Sequence, residues 1–205
     1  MEHITDEARL REIIADPVAA IRDKARDRVD AVTARFLAAS PLFLLATTGP
    51  DGVDVSPRGD PAGCVLVLDD GRSIAFADRK GNRKLDSLRN ILHDPRVGMI
   101  FLVVPGSNDT VRINGRARIV HRPEFAEQLT VQGSVPDLAI VVEIDELYLH
   151  CAKAFLRSSL WDTATWPAKG EVPSAGKLAK GQYGVPGPAR LIDAAFRREA
   201  KANQY

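Results

Sequence analysis

The stretch LFLLATTGPDGVDVSP, residues 42–57, contains two apolar or alternating runs around a short segment of turn-forming residues. Gly49, Pro50, Asp51 and Gly52 are residue types that favour tight turns, and the runs on either side of them are typical of strands. Strands joined by so short a turn pair antiparallel, because a parallel pair needs a crossover of about a dozen residues or more. The stretch therefore predicts a β-hairpin in an antiparallel sheet.

The alternation of strand and turn continues through the middle of the chain. Further strands are predicted at 64–68, 73–77, 96–104, 110–120 and 138–151, with turns at 69–72 and 105–109 and helices at 83–93 and 122–132. A doubly wound nucleotide-binding fold is excluded, because it needs helices between most of its strands. Six or seven antiparallel strands with an inserted helix predict a mainly β fold, a closed or partly closed barrel, since closure removes exposed edges.

Helices are predicted on both sides of this barrel. The predicted organisation is helices at 5–15 and 17–39 within residues 1–40, the barrel domain at 41–150, and a C-terminal region at 151–205. The C-terminal region is predicted to hold a helix, a loop rich in Gly, Pro and Lys at 162–188, and a final amphipathic helix at 189–201. We expect it to pack on the barrel or on a partner subunit.

Composition narrows the class of function. The 205-residue chain has 28 Lys and Arg against 27 Asp and Glu, so a field that attracts nucleic acid or a membrane over the whole surface is not expected. The two cysteines, Cys64 and Cys151, do not form a disulfide framework and fit a reducing cytoplasm; Cys151 is predicted to be a buried structural residue. The scattered histidines lack the spacing of a metal site, so no metal is predicted.

The segment DRKGNRKLDSLRN, residues 78–90, concentrates positive charge at the start of a predicted helix. Cations in a first helical turn oppose the helix dipole at a cost of about 0.3–1 kcal/mol. A bound phosphate monoester reverses that cost, with Arg83 and Lys84 as its ligands and Asn82 as the helix cap. The alternative is that Asp78 and Asp86 balance the cations, which then lie in water.

Two more cations are candidates for the same site. Arg58 ends the second predicted strand, and Arg112 lies on the strand at 110–120. Neighbouring strand ends can meet in an antiparallel barrel, but periodicity does not establish that these two do. The alternatives are a salt bridge between Arg58 and Asp60, and a cross-strand pair for Arg112.

The run from SPRGD at 56–60 through SIAFADRKGNRKLDSLRNILHDPRVGM to TVRINGRARIV at 110–120 resembles the pyridoxamine 5′-phosphate oxidase-like flavoproteins, the FMN-binding split barrels. The resemblance covers residues 42–149. YLHCAKAFLRSSLWD, residues 148–162, is similar to the ending of an oxidase-related subfamily, with Ala152 where that subfamily has Pro. The resemblance implies a six-stranded antiparallel split barrel that forms a homodimer, with FMN at the subunit interface.

Carried over residue by residue, the resemblance implies two sets of site residues. The cofactor-binding set is Arg58, Phe76, Ala77, Asn82, Arg83, Lys84, Thr110 and Arg112. The set at a substrate rim or from the partner subunit is His150, Lys153, Arg157, Ser158 and Trp161. True pyridoxamine-phosphate oxidases end in an Arg-x-His-x-Arg-like run, whose spacing Arg197 and Arg198 do not reproduce, so vitamin B6 synthesis is not expected.

Three hypotheses about function follow. The first is a cytoplasmic FMN-dependent oxidoreductase that moves electrons between a small organic substrate or NAD(P)H and an acceptor such as oxygen. The second is a carrier or sensor that binds flavin, deazaflavin or haem without turnover. The third is a dimeric interaction protein whose basic cluster is a solvated surface. The sequence identifies neither the substrate nor a catalytic base.

Overall fold

The computed structural model describes residues 1–68, 71–103 and 107–205. Within them, seven strands form one antiparallel sheet in the order β2-β1-β5-β6-β7-β4-β3. The strands are β1 (Leu42–Gly49), β2 (Gly52–Gly59), β3 (Val65–Val67), β4 (Ser73–Ala77), β5 (Arg96–Leu102), β6 (Thr110–His121) and β7 (Leu138–His150). The β1–β2 hairpin pairs Gly49 with Gly52, as its turn residues indicate. The predicted antiparallel, mainly β fold is confirmed.

The sheet is not closed into a barrel, and it has seven strands rather than the six that the resemblance implied. In the described residues β2 and β3 are edges that do not pair with each other. The sheet instead curls, and its inner face closes through side chains: the rings of Phe43 in β1 and Phe76 in β4 lie 4.9 Å apart. Backbone closure fails because β3 has only three residues and because β2 directs the polar Ser56 and Arg58 toward the opening.

The hydrophobic core lies on the concave face of the curled sheet. Its fully buried side chains include Leu45, Ile74, Met99, Phe101, Ile113, Ile140 and Val142. Along β1 and β5 they alternate with more exposed residues, as the two-residue period of a strand requires, whereas every residue of β4 is buried. Each such side chain stabilises the fold by roughly 1.5–3 kcal/mol.

Helix α4 (Asp86–His93) covers one end of this core. It buries Leu88 and Ile91 and is held to β1 by a hydrogen bond of 3.1 Å from Asn90 Nδ2 to Thr47 Oγ1. The hydroxyl groups of Ser87 and Ser56 lie 3.0 Å apart, which joins the helix to β2. These contacts fix the start of α4 beside the open edge of the sheet.

The N-terminal region differs from its prediction. Helices α1 (Glu7–Ile13), α2 (Ala19–Arg22) and α3 (Ala31–Ala39) are present, so the single helix predicted at 17–39 is wrong. Strand β4 pairs with β7 only as far as Glu143, so beyond that residue β7 has a strand neighbour on its β6 side alone. Arg26 and Leu147 exchange hydrogen bonds of 2.9 and 2.6 Å there. The backbone of Arg26 therefore pairs with β7 instead of continuing the predicted helix.

The C-terminal region also contains more structure than predicted. Helix α5 (Lys153–Ser158) follows β7, and α6 (Ala175–Tyr183) lies within the segment predicted to be a loop, which is therefore wrong for those residues. Asp193 of the confirmed final helix, α7 (Ala189–Ala202), accepts a hydrogen bond of 2.7 Å from the backbone of Gly176. The two helices stabilise each other, a contact that no local pattern reveals.

The segment that follows β6 also differs from its prediction. The helix predicted at 122–132 is wrong, because only a 3₁₀ turn at Ala126–Leu129 forms, between positive φ angles at Arg122 and Gln132. The predicted turns at 69–72 and 105–109, and the end of the strand predicted at 96–104, fall partly on 69–70 and 104–106, which lie outside the described residues.

Among the helices that the structure describes, none has the length and apolar character to cross a membrane.

Candidate functional site

A groove of about 620 Å³ opens between the edge strand β2, the loop at 78–85 and the start of α4. Its wall is completed by residues 134–138, which lead into β7, and by Tyr205, which follows α7. The volume lies within the range of about 300–1,000 Å³ that is typical of small-molecule sites. Five positively charged side chains line the groove: Arg58 from β2, and Arg79, Lys80, Arg83 and Lys84 from the loop at 78–85.

Internal ion pairs hold two of these cations in place. Arg58 Nη1 lies 3.2 Å from Asp78 Oδ1, and Arg79 Nε lies 2.7 Å from Asp60 Oδ2. The alternative considered for Arg58, a salt bridge with Asp60, is not the pairing that the structure shows. Asp78 directly follows β4, across the opening from β2, and so it meets Arg58. The guanidinium of Arg79 also donates to the Leu129 carbonyl over 2.6 Å.

Arg83 and Lys84 lie beside the start of α4. Arg83 has a φ of +62° and no ion pair within the described parts of the chain. Lys84 Nζ lies 2.7 Å from Asp86 Oδ2, and this hydrogen bond raises the pKa of Lys84. Balancing acids thus account for Lys84, as the alternative interpretation of the cluster predicts, but not for Arg83.

Asn82 does not cap the helix, so that prediction is wrong. Its side-chain oxygen accepts a hydrogen bond of 2.9 Å from the backbone of Lys84, which shapes the loop before the helix begins. The N-cap residue is Leu85, in the left-handed conformation with φ of 62° and no side-chain cap. The loop and the first turn of α4 therefore meet at the groove without a capping side chain.

A second cavity of about 290 Å³ adjoins the groove. The two spaces share Pro57, Arg58, Arg79, Lys80, Gly81 and Tyr205. Phe43, Phe76 and Ala77 give the small cavity an apolar wall. The structure thus gathers six of the predicted cofactor residues around two connected spaces: Arg58, Phe76, Ala77, Asn82, Arg83 and Lys84.

Thr110 and Arg112 are not part of this arrangement within one chain. Thr110 is 1% exposed and lines neither space. Arg112 Nε donates to Asn114 Oδ1 over 3.3 Å, and its Cζ lies 5.9 Å from the ring centroid of Tyr148, its register partner in β7. This cation–π contact is the cross-strand pair named as the alternative for Arg112.

The predicted rim residues do not line the groove; His150 is the register partner of Thr110 in the pairing of β6 with β7. The rings of Tyr148 and His150 stack with centroids 6.3 Å apart, and α5 with Lys153, Arg157 and Ser158 follows. Trp161 Nε1 donates to the Ser107 carbonyl over 3.2 Å. We call His150, Lys153, Arg157, Ser158 and Trp161, together with Thr110 and Arg112, the second cluster; none of them lines the groove.

Tyr205 is the site residue that sequence reasoning missed. Its ring centroid lies 5.8 Å from Arg79 Cζ, and its backbone oxygen accepts a hydrogen bond of 2.9 Å from Lys80 Nζ. Burial, and then the nearby Asp60 carboxylate, raise the pKa of its phenol. No local pattern signals this contact, because the two elements are joined only by the tertiary fold.

The two cysteines have opposite environments. Cys64 lines the small cavity, and burial, followed by the charge of Asp60, raises the pKa of its thiol to about 11. Cys151 is exposed, so its predicted burial is wrong. A neutral Cys64 thiol at physiological pH is a packing group and not a nucleophile. The described residues contain no cluster of His, Cys, Asp and Glu suited to a metal ion.

The chain is similar to a known protein family. The sequence profile of a family described as pyridoxamine 5′-phosphate oxidase matches residues 29–151, more than half of the chain. No curated protein matches this chain.

Solved structures that match the chain include HupZ from Group A Streptococcus, at 13% identity and a TM-score of 0.47, covering 59% of this chain and 93% of that one. An FMN-binding protein from Syntrophomonas wolfei subsp. wolfei has 14% identity and a TM-score of 0.44, with 58% and 84% covered. An F420 reductase has 19% identity and a TM-score of 0.42, with 58% and 98% covered.

Proposed function

The chain belongs to the pyridoxamine 5′-phosphate oxidase family, and from this premise we propose that it is an FMN-binding flavoprotein. We propose further that it is an oxidoreductase, transferring electrons between a small organic substrate or NAD(P)H and an acceptor such as oxygen. The observation that carries the proposal is the groove of about 620 Å³, which has a concentration of cations at one part and an apolar cavity at another.

The residues present fit the chemistry of FMN. A phosphate monoester brings about two negative charges and three acceptor oxygens, and Arg83 is a groove cation with no internal acid partner among the described residues. Lys84 adds a second charge beside it. A flat ring needs an apolar wall, and Phe76 and Ala77, 3% and 6% exposed, provide one in the adjoining cavity.

Each part of the site has a separate task in this proposal. Bound FMN would supply the two-electron chemistry. Arg83 and Lys84 hold the phosphate, and Asn82 keeps the loop that carries them in shape through its bond to the Lys84 backbone. Phe76 and Ala77 exclude water from the ring and orient it. No side chain is assigned as a catalytic base.

The proposed assembly is a cytoplasmic homodimer with FMN at the subunit interface. Its support is the separation of the two predicted sets of residues within one chain. Arg112, Thr110 and the rim residues form the second cluster, whereas the phosphate-binding residues line the groove. A second chain that places its own second cluster against the groove unites the two sets, and the cofactor then contacts both.

A carrier or sensor that binds a flavin or deazaflavin without turnover is the alternative. Haem is a further candidate for such a carrier: no histidine is among the residues that the structure shows lining the groove or the small cavity, so its axial ligand would have to come from His150 in the second cluster of the partner. Reduction of the bound flavin by NAD(P)H, followed by reoxidation with oxygen, separates an enzyme from a carrier. A yellow protein whose bound flavin is not reduced by NAD(P)H supports the carrier.

The phosphate site is tested by titrating FMN into the wild type and into the double variant Arg83→Ala/Lys84→Ala. Each charge-assisted hydrogen bond contributes about 1.5–3 kcal/mol, so we expect the Kd to rise by roughly 10- to 100-fold for the loss of one such bond and by about 100-fold or more for the double variant. Arg83→Ala alone should weaken binding more than Lys84→Ala, because Asp86 already neutralises part of the Lys84 charge. Flavin fluorescence quenching measures these values.

The matched control is Arg197→Ala/Arg198→Ala. This pair removes two adjacent, exposed positive charges on α7 that do not line the groove. An unchanged Kd in the Arg83/Lys84 variant would show that the phosphate binds elsewhere. A wild-type protein that does not bind FMN would overturn the proposed function itself.

A further inference from the structure

The N-terminal segment, residues 1–23, lies on the surface of the chain without burying a side chain against the described residues. Each residue of the segment is exposed except Arg9, which is half-buried, and α1 contains no buried residue. The ion pairs that the structure gives Arg9 and Arg11 all join residues within 2–16. A helix of seven residues is marginal in water by itself. The stability of α1 therefore requires a further packing partner.

The side chains of α1 indicate which kind of surface suits it. Ile13 and the directly following Ile14 are three and four residues from Leu10, which places all three on one helical face. They are 42% exposed at Leu10 and 57% exposed at each isoleucine. Residues 1–16 also carry five acidic side chains against two basic ones. A suitable partner therefore combines exposed apolar side chains with positive charge.

Helix α6 and the start of α7, residues 174–192, combine these two properties. The stretch contains three basic residues, Lys177, Lys180 and Arg190, and no acidic residue. Its large exposed apolar or aromatic side chains are those of Leu178, Tyr183 and Leu191, at 48%, 76% and 60% exposure. We call residues 174–192 the basic surface, and its charge is complementary to that of the N-terminal segment.

The N-terminal segment joins the sheet beside the second cluster. Lys24, the next residue of the chain, is half-buried, and its Nζ lies 4.4 Å from the ring centroid of Tyr148. Arg112 of the second cluster contacts the same ring. Lys24 Nζ also donates to the Leu149 carbonyl over 3.0 Å. The segment therefore leaves the sheet at the region that the proposed dimer places against the groove of the partner.

The basic surface lies on the groove side of the chain. Helix α6 is held to α7, and the chain after α7 reaches Tyr205, which lines the groove. The pKa of Lys84 in the groove is raised chiefly by its hydrogen bond to Asp86 and to a smaller extent by Tyr183 of α6. The proposed dimer thus brings the N-terminal segment of one subunit toward the basic surface of the other.

We propose that the acidic N-terminal segment of each subunit docks on the basic surface of its partner. Leu10, Ile13 and Ile14 then cover exposed side chains such as Leu178 and Leu191, and the acids of the segment face the basic residues. The two-fold symmetry of a homodimer makes this contact occur twice. The inference rests on the homodimer of the proposed function, and it adds a contact that lies outside the cofactor site.

Interchain disulfides test the contact directly. All chains carry Cys151→Ser, because Cys151 is exposed whereas Cys64 is buried. Chains with Ile13→Cys are co-expressed with chains that carry Leu191→Cys, and mild oxidation is followed by non-reducing electrophoresis. We expect linked pairs of chains in the mixture but not in either variant alone. Ala8→Cys, on the opposite face of α1, is the matched control for Ile13→Cys and should link about tenfold less.

Sedimentation equilibrium measures how much the contact contributes to dimer formation. The variant Leu10→Lys/Ile13→Lys replaces two exposed apolar side chains, so circular dichroism should show an intact fold. We expect its dimer dissociation constant to rise by about tenfold or more, because apolar burial at the contact is lost. Lys177→Glu/Arg190→Glu should also weaken the dimer, since it opposes the acids of the segment with like charge. Ala8→Lys is the control and should leave the constant unchanged.

The outcomes separate this inference from the proposed function. A wild-type dimer with no linkage between Ile13→Cys and Leu191→Cys chains, or an unchanged constant for Leu10→Lys/Ile13→Lys, would overturn the docking and retain the dimer. Linkage only within a single chain that carries both cysteines would also overturn it, because the segment would then fold back on its own subunit. A monomeric wild type that binds FMN would overturn the docking and the dimer together but retain the flavoprotein.

Discussion

Individual residues in the groove are positioned by the pairs that they form. Asp60 is two positions from Arg58 in sequence, yet it pairs with Arg79. The side chains of Arg79 and Asp60 are 14% and 7% exposed, and removing one member of such a buried pair costs about 3–5 kcal/mol, because the other charge remains buried. In the part of the chain that the structure describes, Arg83 forms no ion pair with an acid, which makes it the residue best suited to an external anion.

Thiol reactivity tests the residue-scale description of the cysteines. Cys151 is exposed and Cys64 is buried, and the pKa of the Cys64 thiol is raised to about 11. At pH 8 we expect an aromatic disulfide reagent to modify Cys151 quickly and Cys64 only after unfolding in guanidinium. The variant Cys151→Ser should then show no fast reaction. A fast reaction in that variant would contradict the burial of Cys64.

The raised pKa of Cys64 also predicts how its contribution to stability depends on pH. The folded protein holds the thiol proton more tightly than the unfolded chain, whose thiol has a pKa of about 8.5. The contribution is therefore complete below that value and is lost as the pH rises toward about 11. Unfolding of the wild type and of Cys64→Ala in guanidinium should give a smaller stability difference at pH 10 than at pH 7. A constant difference would contradict the shift.

At the scale of elements, backbone pairing decides which local patterns succeed. Residues 23–30 carry a helical pattern, but Arg26 pairs with Leu147 at the part of β7 that β4 does not reach. The pairing of β6 with β7 shifts between Asn114 and Gly115, where Asp145 of β7 has no partner in β6, and this β-bulge helps the two long strands to follow the curl of the sheet. At Gly115 an added Cβ would lie 2.1 Å from the backbone oxygen of Glu143, so a side chain has no room there.

Gly115→Ala should therefore destabilise the protein by about 1–3 kcal/mol, the usual cost of overpacking. The matched control is Gly181→Ala in α6, where an added Cβ meets nothing within 4 Å. That change should stabilise the protein by about 0.5–1 kcal/mol, because alanine favours a helix more than glycine does. Thermal unfolding measures both. A Gly115→Ala protein as stable as the wild type would show that the bulge tolerates a side chain.

At the scale of the whole molecule, the two predicted sets of cofactor residues do not meet in one chain. The groove holds Arg83 and Lys84, and the second cluster holds Arg112. Our proposal of a homodimer brings the groove of one subunit to the second cluster of the other. The division of the chain at residues 40 and 150 stays a prediction, as does the packing of the C-terminal region on a partner subunit.

Mixed dimers test this arrangement directly. The variants Arg83→Ala/Lys84→Ala and Arg112→Ala should each bind FMN poorly alone. When the two are unfolded together and refolded, mixed dimers contain one intact site, and we expect about a quarter of the wild-type FMN sites to return. Absorbance of bound FMN after gel filtration measures the recovery, and co-refolding each variant with itself is the control. No recovery would indicate that one chain supplies the whole site.

Much of the fold follows from short-range pattern. The two-residue period and the tight turn at 49–52 determine antiparallel strands, because strand alternation and turn chemistry act over a few residues. The candidate phosphate site at 78–90 could likewise be predicted, because its basic residues are close together in the sequence. The family resemblance added the residues of the apolar cavity, Phe76 and Ala77, which no charge or motif marks.

By itself the sequence determined the antiparallel β class, the helix after the basic loop and the identity of the cations, since these depend on neighbours along the chain. Only the tertiary structure decided that the sheet stays open, that Asp60 pairs with Arg79, and that Tyr205 lies over that pair. The physical reason is that ion pairs and the pairing of sheet edges depend on which groups, distant in sequence, are buried next to each other in the fold. The local sequence pattern does not contain that information.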